Sequence, residues 1–308
     1  MFIIAGEALV DFIAAEDGRY RPIAGGAPYN FARALALQGV AAGYANPLST
    51  DHFGGLLNAS LLSSGAAHLG PMIGKPTSLA IVSKSADGQP SYQFYRDGIA
   101  DRALTLQQLT GHFEAATRGF HSGGLALVPP DHTTIIQAQK IARAKGILCT
   151  LDVNMRMQVA SSMSVAPGEY RDAARAAIAG ADMVKVSDED LQHLGFTGAP
   201  NEAARALLNE TCQLVIVTLG VNGAWLLSET DDIFCAVDTV TVVDTVGAGD
   251  CFFAGFIASL IRGDAFQTSH ARTPPVLARA LRHATRCAAI NITREGCQPP
   301  TWTETFVK

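Results

Sequence analysis

The chain is 308 residues long and carries 23 basic and 28 acidic side chains, for a formal net charge of −5. With 48% hydrophobic and 17% charged residues it has ample material for a core, which excludes disorder. Its mild acidity argues against nucleic acid or an anionic membrane as the main partner, and at roughly 150 residues per domain the length allows two domains or one large α/β domain.

Residues 2–9 form an apolar run suited to a buried strand. The N-terminus over 1–11 lacks a basic region and meets charge at Glu7 and Asp11, so it does not read as a targeting segment. Residues 8–23 contain strand-like pieces around an Asp17-Gly18 turn. A helix is expected over 28–38, with Pro28 in its first turn and Gly39 as its stop. A strand over 40–45 and a helix over 51–64, closed by Gly65, come next. Residues 77–96 read as two strands around Asp87-Gly88. Asp131 is placed to cap a helix that ends at Gly146. Strands over 147–153, 183–186 and 214–219 enclose a helix over 168–179. A strand-like stretch over 240–243 precedes an apolar helix over 251–261, and residues 270–275 form a loop between two helices.

Such βα alternation predicts a mostly parallel sheet covered by helices on both faces. The two stretches without helices of their own predict a small antiparallel β subdomain beside it. The apolar run over 251–261 is about half the ~20 residues a bilayer requires. The six cysteines (149, 212, 235, 251, 287, 297) show no C-x-x-C and no paired spacing, and the eight histidines share no metal-ligand spacing. These features predict a soluble cytoplasmic protein with reduced thiols.

The strongest chemical signal is Asp244-Thr245-Val246-Gly247-Ala248-Gly249-Asp250. A turn of small residues opening a helix leaves backbone N–H groups aimed outward at the positive end of the helix dipole, which is an anion site. An acid in that first turn repels a phosphate unless it accepts the proton of a hydroxyl attacking it. The second signal is Gly25-Gly26-Ala27-Pro28-Tyr29-Asn30. Paired glycines at a helix start permit close approach, and an Asn there both donates and accepts hydrogen bonds, a mixture suited to polyols. A G-x-x-x-x-G-K-[ST] loop is absent, and no G-x-G-x-x-G follows the first strand, which discounts a nicotinamide-dependent oxidoreductase.

Gly25-Gly26-x-x-x-Asn30 near the start and Asp244-Thr-x-Gly-Ala-Gly-Asp250 near the end resemble the two signatures of the ribokinase-like (PfkB) carbohydrate kinases. The landmarks between them fall in that family's order. Asp11 resembles its early sugar-binding Asp, and Asp152-Val-Asn154-Met-Arg156 its Asp-Pro-Asn-x-Arg strand end. Lys185-Val-Ser187-Asp-Glu-Asp190 resembles its Asn-x-x-Glu region, and Thr218-Leu-Gly220-x-x-Gly223 its nucleotide-side turn. Residues 288–296, with Arg294-Glu-Gly296, resemble the loop that closes on adenine and a monovalent cation. Phe94-Tyr95-Arg96 with Ala100-Asp101, the 121–127 segment and Ser187 in place of Asn are similar to fructokinases. The chain departs from the family in having Asp190 where Glu is usual and Val153 where Pro is usual.

The resemblance implies a ribokinase-like α/β fold, with the main domain over 1–10, 27–75 and 102–308 and a β lid over 11–26 and 76–101. It implies an ATP-dependent sugar kinase acting on a primary hydroxyl, with fructose as the leading substrate and 2-keto-3-deoxygluconate or ribose as alternatives. Asp250 is then the general base, and Gly247, Ala248 and Gly249 the anion hole. Asp11, Gly25, Gly26, Asn30, Arg96, Asn154 and Arg156 are expected on the sugar, and Lys185, Ser187, Thr218, Gly220 and Gly223 on ATP. Magnesium is expected near Asp190 through water, and potassium near Asp244. A homodimer through the lid follows from its open strand edges. A catalytically silent sugar-binding regulator of the same fold would keep the pocket and lose the base; Asp250 argues against it.

Overall fold

The computed structural model describes residues 1–14, 17–84 and 90–306. Its strands are β1 (Phe2–Ile4), β2 (Leu9–Ala14), β3 (Tyr20–Gly25), β4 (Ala42–Tyr44), β5 (Leu48–Ser49), β6 (Ala67–His68), β7 (Met72–Ile73), β8 (Ser78–Lys84), β9 (Pro90–Tyr95), β10 (Gly119–Gly123), β11 (Leu148–Asp152), β12 (Met183–Ser187), β13 (Leu214–Thr218), β14 (Ala224–Leu227) and β15 (Asp232–Cys235). The helices are α1 (Ala27–Leu37), α2 (His52–Ser63), α3 (Leu106–Thr110), α4 (His132–Ala144), α5 (Met157–Ser162), α6 (Pro167–Ala179), α7 (Asp188–His193), α8 (Pro200–Arg205), α9 (Ala248–Arg262) and α10 (Pro274–Asn291).

Nine strands form the main sheet in the order β15-β14-β13-β12-β11-β10-β1-β4-β6, parallel from β6 to β13 and antiparallel at the β13-β14-β15 edge. Alternating side chains feed two cores, as a sheet covered on both faces requires. Phe2, Ile4, Met183, Leu214 and Ile216 pack under α1, α2, α9 and α10. Ile3, Phe120, Val184, Val186, Val215 and Val217 pack under α4, α6 and α8. The ribokinase-like α/β architecture is therefore present, with a separate four-stranded sheet, β3-β2-β8-β9, standing beside it as a lid. Its two sequential pairs are antiparallel as expected, but β2 and β8 run parallel, because the chain returns to the lid through the main sheet between them.

Several local expectations change. Residues 2–9 are not one strand: the chain leaves the main sheet after β1 and enters the lid at Leu9. Gly6 sits at the break with φ +148°, where a Cβ would come 2.3 Å from Pro28. Asp131 precedes α4 but makes no cap bond, because its carboxylate takes a bidentate pair from Arg102 at 2.7 and 3.0 Å. Residues 240–243 are irregular rather than a strand; Val243 and Asp244 donate their N–H groups to the Ile292 carbonyl instead of to a sheet neighbour. The first four residues of the segment over 288–296 belong to the last turn of α10. The β14-β15 hairpin was not legible, and the Asp87-Gly88 turn lies outside the described residues.

The C-terminal ends of β10 to β13 share one edge of the sheet, the edge at which open α/β sheets bind ligands. Gly123, Asp152, Ser187 and Thr218 end those strands, and the lid springs from the same end of β1. The segment resembling a central strand over 121–127 is strand only to Gly123 and then turns through a 3-10 helix over Gly124–Leu127.

Candidate active site

The helix α9 begins at the center of this edge. Its N-cap, Gly247, has φ +73°, and a Cβ there would come 2.3 Å from the Cys297 sulfur, so only glycine fits. The Ala248 N–H donates to the Thr245 carbonyl at 3.2 Å and closes the turn. Ala248 is thus engaged rather than free, a change from the expected trio of donors; the Gly247, Gly249 and Asp250 amides remain at the positive end of the helix.

Asp250 lies in the first turn, 8% exposed. Its Oδ2 accepts from Asn30 Nδ2 at 3.0 Å. Burial holds its carboxyl up to about 7, with the Asp152 charge adding to the rise and Asn30 and Lys185 working against it. A carboxyl poised there can take a proton near neutral pH. Asn30, 3% exposed, stands in the first turn of α1, and its Oδ1 has no partner among the described residues. A buried amide oxygen without a donor is a place for a substrate hydroxyl.

Beneath Gly249 lies Lys185. Its ammonium would be 3.1 Å from a Cβ on that glycine and pairs with Asp152 Oδ1 at 2.7 Å, both residues being buried. Burial keeps the Asp152 carboxyl above its ordinary range in spite of the ammonium. The lysine expected on the nucleotide therefore sits under the start of α9, beside Asp250.

On the lid, the Asp11 carboxylate rests on the Cα of Gly25, where a Cβ would come within 2.3 Å of Oδ2. Burial raises Asp11 to about 6, Arg156 opposes this, and Asp244 adds to it. Arg156 is exposed just past β11, and Asn154 before it has a left-handed backbone, φ +39°. Gly26, at φ +108°, is the α1 N-cap and its carbonyl accepts the Asn30 N–H at 2.8 Å.

Arg96, expected as a lid contact with sugar, is turned inward. It is buried, with Nη1 donating to Ser78 Oγ at 3.1 Å and to Asp101 Oδ2 at 3.2 Å. The same Asp101 oxygen accepts the Ala8 N–H at 3.3 Å, so this pair ties two of the crossings between sheet and lid.

Asp190 is also committed elsewhere. Its oxygens accept from the Met155 N–H at 2.7 Å and the Ser187 N–H at 2.8 Å, and Ser187 Oγ accepts the Asp190 N–H in return. This capping box opens α7 and leaves a buried carboxylate whose geometry favours a structural clasp over magnesium. Thr218, Gly220 and Gly223 form a separate group at the β13–β14 turn. Thr218 Oγ1 reaches the Val186 carbonyl at 3.4 Å, and a Cβ on Gly223 (φ +104°) would strike the Cys235 carbonyl at 2.4 Å. Asp244 joins two loops, accepting from the Val246 N–H at 3.0 Å and the Gly296 N–H at 2.8 Å. Among the described residues no cluster of three or more His, Cys, Asp or Glu could hold a metal ion.

Sequence reading missed the roles of Glu7 and Asp101, both buried, and of Asp152 as the partner of Lys185. The signal was available for Glu7: it is a charge in an apolar run, which needs a partner once buried.

The model for the pfkB family carbohydrate kinases matches residues 2–304. Fructokinase-1 of Zea mays is 32% identical over 319 aligned positions, covering 98% of this chain and 94% of that protein. The fructokinase of Xylella fastidiosa with bound ATP superposes with a TM-score of 0.88 at 26% identity, over 99% of this chain and 96% of that one. A double mutant of the Vibrio cholerae O395 fructokinase, solved with fructose, ADP and a potassium ion, gives 0.83 at 25% identity over 96% and 93%. A match over nearly the whole chain, a buried acid at an amide-lined helix start and a paired asparagine facing it make one consistent picture: the chain belongs to the pfkB family of carbohydrate kinases and is a sugar kinase.

Proposed function

We propose that the protein transfers the γ-phosphoryl group of MgATP to the primary hydroxyl of fructose, giving fructose 6-phosphate and ADP. The observation that carries this reading is the Asn30–Asp250 pair at the start of α9, with Asn30 Oδ1 left for a hydroxyl. Asp250 takes the hydroxyl proton as the oxygen attacks phosphorus and the bond to the leaving ADP oxygen breaks. The Gly247, Gly249 and Asp250 amides, with the Lys185 ammonium beneath them, offset the charge on the moving phosphoryl group. Asp11, Gly25, Gly26, Asn154 and Arg156 hold the remaining hydroxyls, and Ser187, Thr218, Gly220 and Gly223 border ATP.

Magnesium, when bound with the nucleotide, would supply charge neutralisation to its phosphates. The Asp190 carboxylate is taken up by backbone donors, so the ion is better carried by the nucleotide's own phosphates. Potassium would lie beside Asp244, which links the α9 turn to the loop after α10. Segments 11–26 and 76–101 act as a lid on the body formed by 1–10, 27–75 and 102–308. A lid-to-lid homodimer is supported by its open edges β3 and β9, which expose Tyr20 and Tyr95. Six free thiols suit a reducing compartment, and we assign the activity to the cytoplasm.

The test is ADP release from MgATP, with potassium present, over fructose, 2-keto-3-deoxygluconate, ribose, glucose and nucleosides, with Asp250→Asn as control. Turnover on fructose that the control abolishes supports the reading. Turnover on another sugar keeps the mechanism and removes the substrate, and ATP binding without any turnover favours a silent regulator. A monomeric mass in light scattering removes the dimer.

A further inference from the structure

Glu7 is a buried carboxylate with no place in the chemistry above. It lies on the crossing from β1 to the lid, and both its oxygens are used. Oε1 accepts the Ala27 N–H at 3.0 Å and Oε2 the Leu125 N–H at 3.0 Å. It thereby joins the start of α1 to the turn that follows β10. The surrounding glycines are shaped to it: a Cβ on Gly26 would come 2.5 Å from the Glu7 carbonyl oxygen, and one on Gly124 2.5 Å from Oε1. Gly26 is thus required by the packing of Glu7 as well as by any sugar.

We infer that Glu7 is a positioning residue for phosphoryl transfer: it pins the N-terminus of α1 to the end of β10 and so holds Asn30 against Asp250. This rests on the reading of Asp250 as the base. Ala27 is the first residue of α1 and Asn30 stands in the same turn, with its N–H on the Gly26 carbonyl. A shift of that turn moves Asn30 Nδ2 off the Asp250 carboxylate, and misplacement of about 1 Å in a reacting constellation can cost about 10²-fold in rate.

The Glu7 charge contributes separately. Arg96 and Asp101 face it from the lid exit, and Arg102 and Asp131 line the same cavity of about 60 Å³. Burial holds Glu7 up to about 7 against the pull of Arg96. Asp250 is faced by Asp152, Lys185, Asn30 and Glu7, and the Glu7 charge is one of the two that raise it.

Two variants separate the parts. Glu7→Gln keeps the shape, can accept only one of the two N–H groups and removes the charge. Its kcat on the sugar is expected to fall about 10²-fold, with KM for MgATP within about twofold, and the acidic limb of its pH–rate profile moves to lower pH. Ala27→Pro deletes one tether at a helix position where proline is well tolerated and keeps the Glu7 charge. Its kcat falls about tenfold or more while the acidic limb stays in place. A folded Glu7→Gln protein with wild-type kcat and limb, whatever its melting temperature, overturns the inference. If Glu7→Gln does not fold, a wild-type rate in Ala27→Pro overturns it. Asp250→Asn, run alongside, keeps the two readings apart: full turnover there removes the base assignment, whereas a silent Asp250→Asn beside fully active Glu7 and Ala27 variants removes the Glu7 inference alone.

Discussion

The proposed acceptor half of the cleft and its proposed nucleotide half are both made from strand ends and helix starts, yet they differ in how much of their polarity is settled before a ligand arrives. On the acceptor side Asp250, Asn30, Lys185, Asp152 and Glu7 are all buried and tied to one another or to backbone amides. Around the turns proposed to border ATP the chain is irregular and open, with Val221 81% and Val243 61% exposed. The side proposed to hold a proton acceptor at a set position and charge is buried and internally paired. The side proposed to bind the cosubstrate can wait for the ligand to order it. Preorganisation is concentrated where charge develops in the reaction, and burying those charges costs stability that the rest of the fold offsets.

That contrast can be broken at several points. Asp250→Asn should lower kcat by about 10²–10⁴-fold while ATP still binds, measured as ADP release. In the wild type the carboxylate must be ionised, so the rate should fall as pH drops through about 7, the value to which burial raises Asp250. The sign for stability is opposite. A carboxyl raised in the fold loses stability as pH rises from its unfolded range toward about 7. Removing it should therefore stabilise the protein above that pH, by up to about 4 kcal/mol in urea unfolding. A variant that is both inactive and no more stable at pH 8 would show that Asp250 is less desolvated than its surroundings imply.

Lys185→Met leaves Asp152 buried without its ammonium and should cost about 3–5 kcal/mol of stability in urea unfolding. It also removes a charge that lowers Asp250, so the acidic limb should move to higher pH, opposite to Glu7→Gln. An unmoved limb would separate Lys185 from the base.

Arg96→Met tests the lid base. It strands Asp101, and the loss should be of about 3–5 kcal/mol in stability, with KM for the sugar little changed. A KM raised more than about tenfold at unchanged melting temperature would restore Arg96 to the sugar. The smallest effect is expected for Arg21→Ala. This lid arginine pairs with Glu295 on the loop after α10, but both side chains are more than half exposed. Its loss should cost no more than about 1 kcal/mol in thermal melting. A larger change would mean that lid and nucleotide loop move as one body.

The helix starting at Ala248 and its acid were legible because the signal is local: small residues, a helix-start acid and an apolar run all lie within a short window. The βα alternation was legible for the same reason. What failed was non-local. Residues 2–9 have the hydrophobicity of one strand, and only the departure at Gly6 toward the lid divides them. Residues 240–243 have strand composition but meet the Ile292 carbonyl where a strand partner would be. Asp131 is a good cap by type, but Arg102, 29 positions away, offers a stronger bond.

The sequence by itself determined the fold class, the family and the acid at the start of α9 that we propose as base, because periodicity and short motifs act over one turn or one strand. Tertiary structure decided which polar side chains are free to act. Arg96 and Asp190 have the right chemistry for ligands but are consumed by Asp101 and by backbone amides. Glu7 and Asp152 became parts of the site through burial and through partners distant in the chain. A side chain's charge and reach are written at its own position, whereas its solvation and its partners exist only once the chain has closed on itself.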